Sequence, residues 1–121
     1  MEVIIRPDAD AAAALAAQLI AARMREKPGL VLGLATGRTM ERVYDRLAAM
    51  ELDFSARCSF NLGEYIGLPA DDEHSYCRYM DEHLLSRVNN LRANTHVPDG
   101  MAADLGAEAA RYERLIRDEG A

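Results

Sequence analysis

Tryptophan is absent from this chain of 121 residues, and cysteine and histidine are scarce, with two and three copies. No apolar run approaches the roughly 20 residues that a membrane-spanning helix needs, so we expect no membrane partner. The amino-terminal segment also lacks a basic region followed by a long apolar stretch, which a secretory signal requires. These absences favour a cytoplasmic protein with an aliphatic core.

Positive charge is also limited. The chain has 14 Lys and Arg residues against 20 Asp and Glu residues, a formal net charge of −6. Nonspecific nucleic-acid binding needs a net basic face that displaces counterions from phosphates, so we expect no nucleic-acid partner. A local basic pocket for a small anion is compatible with the negative net charge. Cys58 and Cys77 share no metal-ligand spacing with the histidines, which predicts two reduced structural thiols and no metal site.

Helix-favouring and apolar segments alternate along the sequence. A helix is predicted from Ala9 to about Arg25, where helix-forming residues follow a capping aspartate. The continuous apolar run Leu30–Ala35 predicts a strand that is buried on both faces. Arg57–Leu62 is predicted to form another strand. The other predicted elements are a β-branched run at Val3–Ile5 that would make a fourth strand, a helix at Met40–Leu47 capped by Thr39, a helix from Ser75 to about Val88, a short strand at Thr95–Val97 and a helix from about Ala102 to Asp118.

This alternation predicts the fold class. Strands that alternate with helices pair in parallel through right-handed crossovers, so we expect an α/β fold with a short, mostly parallel sheet flanked by helices, in a single domain over residues 1–121. Doubly wound sheets usually have about five or more strands. We therefore expect an incomplete architecture whose exposed sheet edge favours a homo-oligomer.

The first candidate site is the turn Gly33–Thr39 between a buried strand and a helix. Small residues and a helix N-terminus favour an anion at such a turn, and Thr36, Arg38 and Thr39 add hydrogen-bond donors. The turn is neither a Walker loop nor a dinucleotide fingerprint. An ordinary capped turn accounts for it equally well.

The second candidate site is Phe60–Pro69. Ligands of open α/β sheets lie beyond the carboxyl ends of strands, so Gly63, Glu64 and Tyr65 are expected to face the same crevice as the first turn. Glu64 is a candidate acid or base. Its alternative role is to cap a nearby helix, and a structural role is the more frequent one for such a residue.

Four segments together carry a family resemblance: Leu32–Thr39, Phe60–Pro69, Ser75-Tyr76 and the closing Tyr112–Arg117. With these segments nearly the whole chain resembles glucosamine-6-phosphate deaminases, and the pattern Phe-Asn-x-x-Glu-Tyr-x-Gly-Leu-Pro is the most specific of them. The resemblance implies a Rossmann-like three-layer sandwich. It also implies conversion of glucosamine 6-phosphate to fructose 6-phosphate and ammonia, with no metal or organic cofactor.

The same resemblance implies a set of substrate-binding residues. Thr36, Gly37 and Thr39 would help to hold the sugar phosphate, and Tyr65 and Tyr76 would lie near the pocket and its mobile lid. Arg38 stands where the family usually has Gly or Ser, and Met40 stands where it usually has Pro. Arg38 would either strengthen anion binding or fill the site.

Gly63 is the departure that bears most on catalysis, because the family usually has an aspartate there that moves the C2 proton. Glycine cannot transfer a proton, and loss of a general base costs about 10²–10⁴ in rate. Glu64 is a weak substitute. We therefore expect no catalytic residue in this chain.

The histidines give a second reason to expect no activity. The family chain continues for about as long again, and its catalytic histidine lies in a later glycine-rich loop; His74, His83 and His96 lie outside that motif. The leading interpretation is an inactive fragment of a deaminase of amino-sugar metabolism. The alternatives are a half-enzyme completed by a partner chain, a non-catalytic sugar-phosphate-binding or sensing module, and a lactonase-like relative.

Overall fold

The computed structural model describes residues 1–120, in which four α-helices alternate with three short strands. These elements are α1 (Ala9–Glu26), β1 (Val31–Leu34), α2 (Arg38–Ala49), β2 (Cys58–Asn61), α3 (Tyr76–His83), β3 (Thr95–His96) and α4 (Leu105–Gly120). Two short 3₁₀ turns, Leu85–Arg87 and Arg92–Asn94, connect α3 to β3. None of the helices in residues 1–120 combines the length and the apolar content that crossing a membrane requires.

The three strands form one parallel sheet in the order β1-β2-β3. β1 pairs with β2 from Val31 opposite Cys58 to Leu34 opposite Asn61, and β3 adds a shorter ladder on the other side of β2. Parallel neighbours need a crossover connection, which the helices between them supply. The predicted α/β class, with a short parallel sheet flanked by helices, is confirmed.

Helices cover both faces of the sheet. On one face, Leu32 and Leu34 of β1 pack in a core with residues of α1, α2 and α3. On the other face, Cys58 and Phe60 of β2 pack against Tyr112 of α4. Successive residues of a strand point to opposite faces, so the two cores lie on opposite sides of the sheet and the layers are helix, sheet and helix.

Two predictions about strands are wrong. β1 is not buried on both faces, because α4 lies over β2 and leaves Gly33 exposed between the buried Leu32 and Leu34. The Val3–Ile5 run forms no strand. Its side chains are exposed, and within residues 1–120 no strand pairs with it, so its β-branched residues have no ladder to join.

The predicted N-cap of α2 is also wrong. The helix begins at Arg38, so its cap is Gly37 rather than Thr39, and Thr39 lies exposed in the first turn. Gly37 has a φ of 113°, in the left-handed region that glycine adopts without steric cost. The backbone conformation of the turn therefore decides where the helix starts, in place of a side-chain cap.

The two later helices differ from their predicted bounds. α3 begins at Tyr76 with Ser75 as its N-cap, close to the predicted start, but its α-helical part stops at His83 and the chain continues as a 3₁₀ turn instead of reaching Val88. α4 begins at Leu105 rather than near Ala102. Propensity and apolar spacing fix the middle of a helix better than its ends.

Candidate functional site

A cleft of about 240 Å³ opens at the carboxyl ends of β1 and β2. It is lined by Leu34, Ala35, Thr36, Asn61, Leu62, Gly63 and Tyr76. Three predicted site residues meet there: Thr36 from the turn after β1, Gly63 from the loop after β2, and Tyr76 from the first turn of α3. Strand ends are where open α/β sheets bind ligands, so the two candidate segments share one crevice.

Two tyrosine hydroxyls hold the turn after β1. The Tyr44 hydroxyl hydrogen-bonds both the N–H and the carbonyl of Ala35, with the N–H donating over 3.1 Å. The Tyr79 hydroxyl accepts from the Gly37 N–H at 3.2 Å and donates to Glu41 at 2.9 Å. The Gly37 amide, which is expected to face an anion, is therefore occupied by a tyrosine oxygen in this structure.

Burial keeps both of these hydroxyls neutral. Tyr44 is fully buried, and this desolvation raises its pKa to about 12, although the hydrogen bond from Ala35 opposes the change. Desolvation also raises the pKa of Tyr79, and the nearby Glu41 carboxylate adds to the effect. The two tyrosines therefore support the turn as neutral hydrogen-bonding groups throughout the physiological pH range.

Arg38 and Thr39 do not line the cleft. Both lie exposed at the start of α2, and neither belongs to the cleft wall. The structure therefore separates the predicted binding residues of this turn, with Thr36 inside the cleft and the other two on the helix beyond it.

The Glu64 carboxylate faces the N-terminus of α3. One of its oxygens accepts from the Ser75 hydroxyl at 2.7 Å and from the Cys77 N–H at 3.1 Å. The other accepts from the Tyr76 N–H at 3.0 Å and from its neighbour, the Tyr65 N–H, at 2.8 Å. Glu64 thus ties the loop after β2 to α3, which is the capping role that the sequence leaves as the alternative to acid–base chemistry.

The hydrogen bonds at Glu64 also set its protonation state. Burial raises the pKa of this carboxyl, but the four donors at Ser75, Tyr76, Tyr65 and Cys77 outweigh burial and hold the pKa below its usual range. A carboxylate that accepts several hydrogen bonds is stabilised in its charged form. Glu64 is therefore ionised at neutral pH and engaged in structure, which makes it a poor general acid.

Gly63 faces open space. An added Cβ at this position would meet no heavy atom within 4 Å, and its φ lies outside the left-handed region. The residue is exposed at the mouth of the cleft. The backbone therefore has room for a side chain at the position where the resemblance places a catalytic aspartate.

Tyr65 and Tyr76 stack beside the cleft. Their ring centroids are 4.7 Å apart, and the Tyr76 hydroxyl donates to the Tyr65 hydroxyl at 3.0 Å. Tyr76 lines the cleft, whereas Tyr65 lines a shallower recess on the outer side of the pair. The hydrogen bond from Tyr76 raises the pKa of Tyr65, so the Tyr65 phenol remains protonated at neutral pH.

Sequence reasoning missed Asn61 as a site residue. It is the last residue of β2, it is 3% exposed, and it lines the cleft beside Thr36 and Gly63. The signal was its place in the Phe60–Pro69 segment, one residue before the strand gives way to the loop. Polar side chains at the end of a buried strand are unusual unless they have a partner.

The histidines lie away from the cleft wall. His74 contacts Asp72 on the surface, His83 stacks on Tyr79 with ring centroids 4.2 Å apart, and His96 stacks on Phe60 at 4.8 Å. Residues 1–120 contain no cluster of three or more His, Cys, Asp or Glu side chains that would suit a metal ion. In the described part of the chain, Tyr76 is the cleft's ionisable side chain.

A parallel sheet between helical layers, with a cleft at the ends of adjacent strands, defines a Rossmann-like α/β protein. The sequence comparison then specifies the family. The family model for glucosamine-6-phosphate isomerases and 6-phosphogluconolactonases matches residues 7–121, and the chain belongs to this family.

The chain is similar to curated glucosamine-6-phosphate deaminases from several bacteria. It is 44% identical to the deaminase of Halothermothrix orenii, covering 99% of this chain and 52% of that protein. It is 43% identical to the deaminase of Mycolicibacterium smegmatis, covering 99% of this chain and 48% of that protein. The chain therefore spans about half the length of the curated relatives it matches.

Solved structures agree with this family. A monomeric glucosamine-6-phosphate deaminase superimposes with a TM-score of 0.96 at 36% identity, over 99% of this chain and 52% of that one. The 6-phosphogluconolactonase of Thermotoga maritima superimposes with a TM-score of 0.77 at 25% identity, over 97% of this chain and 53% of that one. The fold described above is thus the fold of the corresponding half of both enzymes.

Proposed function

We propose that the cleft binds a hexosamine 6-phosphate, and that the protein is a glucosamine-6-phosphate deaminase-like protein of amino-sugar metabolism. The observation that carries the proposal is the meeting of Thr36 and Gly63 in one cleft at the strand ends. These residues come from the two segments that carry the deaminase resemblance. The curated relatives named above are deaminases. The cleft volume of about 240 Å³ is slightly below the usual lower limit for small-molecule sites, which is about 300 Å³.

The chemistry of the cleft suits a sugar. Thr36 and Tyr76 offer hydroxyl groups to the ligand's hydroxyls, while Leu34 and Leu62 provide apolar walls. The start of α2 is near, and a helix N-terminus carries a partial positive charge that favours a phosphate. A phosphate that takes the Gly37 N–H would replace the Tyr79 oxygen now bound there.

We also propose that this chain does not catalyse the deaminase reaction by itself. Moving the C2 proton needs a base at the cleft, and the resemblance assigns that role to the position of Gly63. Glu64 is the nearest carboxylate in sequence, but four hydrogen bonds hold it at the N-terminus of α3. Tyr76, a phenol with its hydroxyl on Tyr65, is a weak replacement for a carboxylate base.

A titration followed by amide NMR tests the binding proposal. Adding glucosamine 6-phosphate is expected to shift the amide signals of residues 35–37 and 61–64, which border the cleft, and to leave those of α4 in place. Glucose and inorganic phosphate serve as controls, because glucose has the sugar ring without the phosphate and inorganic phosphate lacks the sugar. Thr36→Val is the matched variant, because it removes a hydroxyl from the cleft wall while it keeps the side-chain volume.

Two results would contradict the proposal. One is the absence of shifts at millimolar glucosamine 6-phosphate. The other is a set of shifts that leaves residues 35–37 and 61–64 unchanged and appears elsewhere, since that would place the ligand outside the cleft. Ammonia release by the unmodified chain above a buffer control would overturn the separate proposal that the chain is inactive by itself.

The finer predictions from sequence belong to this proposal. We place the protein in the cytoplasm, assign the parent reaction to the hydrolases, and propose a homo-oligomer, for which the exposed Leu62 and Ile66, at 82% and 73% exposure, provide apolar contact surface. The solved relative with the TM-score of 0.96 is a monomeric deaminase. Sedimentation at micromolar concentration separates these two states, and a sharp monomer boundary would contradict the homo-oligomer.

A further inference from the structure

The amide of Asn61 is fixed in one orientation. Its Nδ2 donates to the backbone carbonyl of Leu34 at 2.9 Å, across the end of β1. A carbonyl oxygen can only accept, so the nitrogen end of the amide must face β1. The oxygen end, Oδ1, therefore faces away from Leu34, and its direction does not depend on how the two ends of the amide were assigned.

The Oδ1 atom of Asn61 has no protein partner. Among residues 1–120, no side chain or backbone group donates to it. In residues 1–120, Arg57 Nε is the side-chain polar atom that is buried from solvent and also lacks a hydrogen-bond partner. Asn61 Oδ1 lacks a partner but is not buried in this way, so it borders open volume, although the residue as a whole is 3% exposed. The open volume that Asn61 lines is the cleft at the strand ends.

Oδ1 is open to the cleft although the residue as a whole is buried, so it can accept a hydrogen bond from a group that occupies the cleft. The bond from Nδ2 to Leu34 keeps the side chain from rotating out to solvent. Ser59, two residues earlier on the same face of β2, is likewise buried, but it lies beside a different cavity on the α3 side. Of the two buried polar residues on this face of β2, Asn61 is therefore the one that lines the cleft.

We propose that Oδ1 of Asn61 accepts a hydrogen bond from a hydroxyl or ammonium group of the sugar phosphate in the cleft, and so distinguishes the sugar from a bare phosphate. This assignment rests on the proposed function, since it places a new contact in the same site. The hydrogen bond to Leu34 holds the acceptor in place before the ligand arrives. Preorganisation of this kind lowers the entropic cost of binding.

The test compares the affinities of the wild-type chain and the Asn61→Ala variant for three probes: glucosamine 6-phosphate, glucose 6-phosphate and inorganic phosphate. We expect Asn61→Ala to weaken sugar-phosphate binding by about 3- to 10-fold, the effect of one neutral hydrogen bond, with little change for inorganic phosphate. A larger loss with glucosamine 6-phosphate than with glucose 6-phosphate would identify the ammonium as the donor, and equal losses would identify a hydroxyl.

Ser59→Ala is the matched control, because it also removes a buried polar group from the same face of β2 but away from the cleft wall. It is expected to leave the preference for sugar phosphate over inorganic phosphate unchanged. A second measurement needs no variant: the side-chain NH₂ signals of Asn61 are expected to shift with glucosamine 6-phosphate and to stay in place with inorganic phosphate.

The outcomes separate the two proposals. If the wild-type chain binds neither sugar phosphate, the proposed function fails, and the role of Asn61 fails with it. If the wild-type chain binds glucosamine 6-phosphate at the cleft, but Asn61→Ala keeps the same preference over inorganic phosphate and the NH₂ signals do not move, the role of Asn61 is wrong while the proposed function stands.

Discussion

The turn after β1 and the loop after β2 border the same cleft, yet different chemistry holds each of them. Two neutral tyrosine hydroxyls, from Tyr44 and Tyr79, fix the backbone of the first. One ionised carboxylate, Glu64, fixes the second by capping α3. Hydrogen bonds to a charged group contribute roughly twice as much as neutral ones. The loop side of the cleft is therefore the more strongly held, and there the carboxylate itself accepts the hydrogen bonds from the loop and from α3.

The largest effect is expected at Glu64. Glu64→Gln keeps the side-chain length but replaces one acceptor oxygen with a donor and removes the charge, so the Ser75 hydroxyl or the first N–H groups of α3 lose a partner. We expect the free energy of unfolding to fall by about 2 kcal/mol. Urea unfolding at pH 7 measures this loss. Glu73→Gln, an exposed carboxylate on the same loop with 80% side-chain exposure, is the matched control.

The pH dependence of stability sharpens the same comparison. The pKa of Glu64 is lowered in the folded chain from its ordinary value of 4.5. Its contribution is therefore fully present above that value and is lost as the pH falls through the lower, folded pKa. Wild type is expected to lose its advantage over Glu64→Gln below about pH 4.5. A difference in the free energy of unfolding that stays constant from pH 7 to pH 3 would show that the charge of Glu64 does not stabilise this loop.

The next effect in size is expected at Tyr44. Tyr44→Phe removes the hydroxyl that meets both polar groups of Ala35, while the buried ring remains. We expect a loss of about 1 kcal/mol in the free energy of unfolding. Because burial raises the pKa of this phenol to about 12, the loss should be the same at pH 5 and pH 8. A loss that changes between these pH values would contradict the neutral role assigned to the tyrosines.

A smaller effect on stability, and an opposite effect on binding, are expected at Tyr79. Tyr79→Phe frees the Gly37 N–H at the start of α2 and removes the hydrogen bond to Glu41. We expect a stability cost of about 0.5 kcal/mol, because Gly37 is exposed and Glu41 is partly exposed, so that water can replace the lost partner of each. The freed N–H then faces a phosphate without first giving up a partner. Affinity for inorganic phosphate should rise by about 2- to 5-fold. Calorimetry with Tyr65→Phe as the control measures this, and a lower affinity would show that the Tyr79 hydroxyl itself contacts the ligand.

The sequence predicts the strands that border the cleft better than it predicts the side-chain hydrogen bonds around the cleft. The strands predicted at Leu30–Ala35 and Arg57–Leu62 are observed as a parallel pair, and the meeting of Thr36 with Gly63 at the strand ends follows from that topology. The hydrogen bonds of Glu64 to α3 need the three-dimensional structure, because Ser75, Tyr76 and Cys77 lie 11 to 13 residues away along the chain. The hydroxyl of Tyr79 reaches Gly37 over 42 residues. No local pattern encodes such contacts.

The strand predicted at Val3–Ile5 shows the same limit. The β-branched Val3–Ile5 run has the composition of a strand, yet it is exposed and pairs with nothing in residues 1–120. Composition records a tendency to pair, whereas a strand exists only where a neighbour completes the ladder. The Asn61 contact follows the same logic at the level of one side chain, since its bond to Leu34 depends on the register of β1 and β2.

The smallest effect on stability is expected at Gly63, where the two sides of the cleft meet. An aspartate there would find no heavy atom within 4 Å of its Cβ and no left-handed backbone, so Gly63→Asp should change the free energy of unfolding by less than about 0.5 kcal/mol. Its carboxylate would restore the side chain type that the resemblance places at this position, in a cleft whose wall otherwise offers Tyr76 as its ionisable group.

One carboxylate takes a proton from C2 but leaves ring opening and ammonia departure without an acid. We therefore expect ammonia release from glucosamine 6-phosphate to stay at the level of the isosteric Gly63→Asn variant. Release well above that level would show that the base alone restores turnover, and that a single glycine, rather than the wider set of acid–base groups, separates this cleft from an active one.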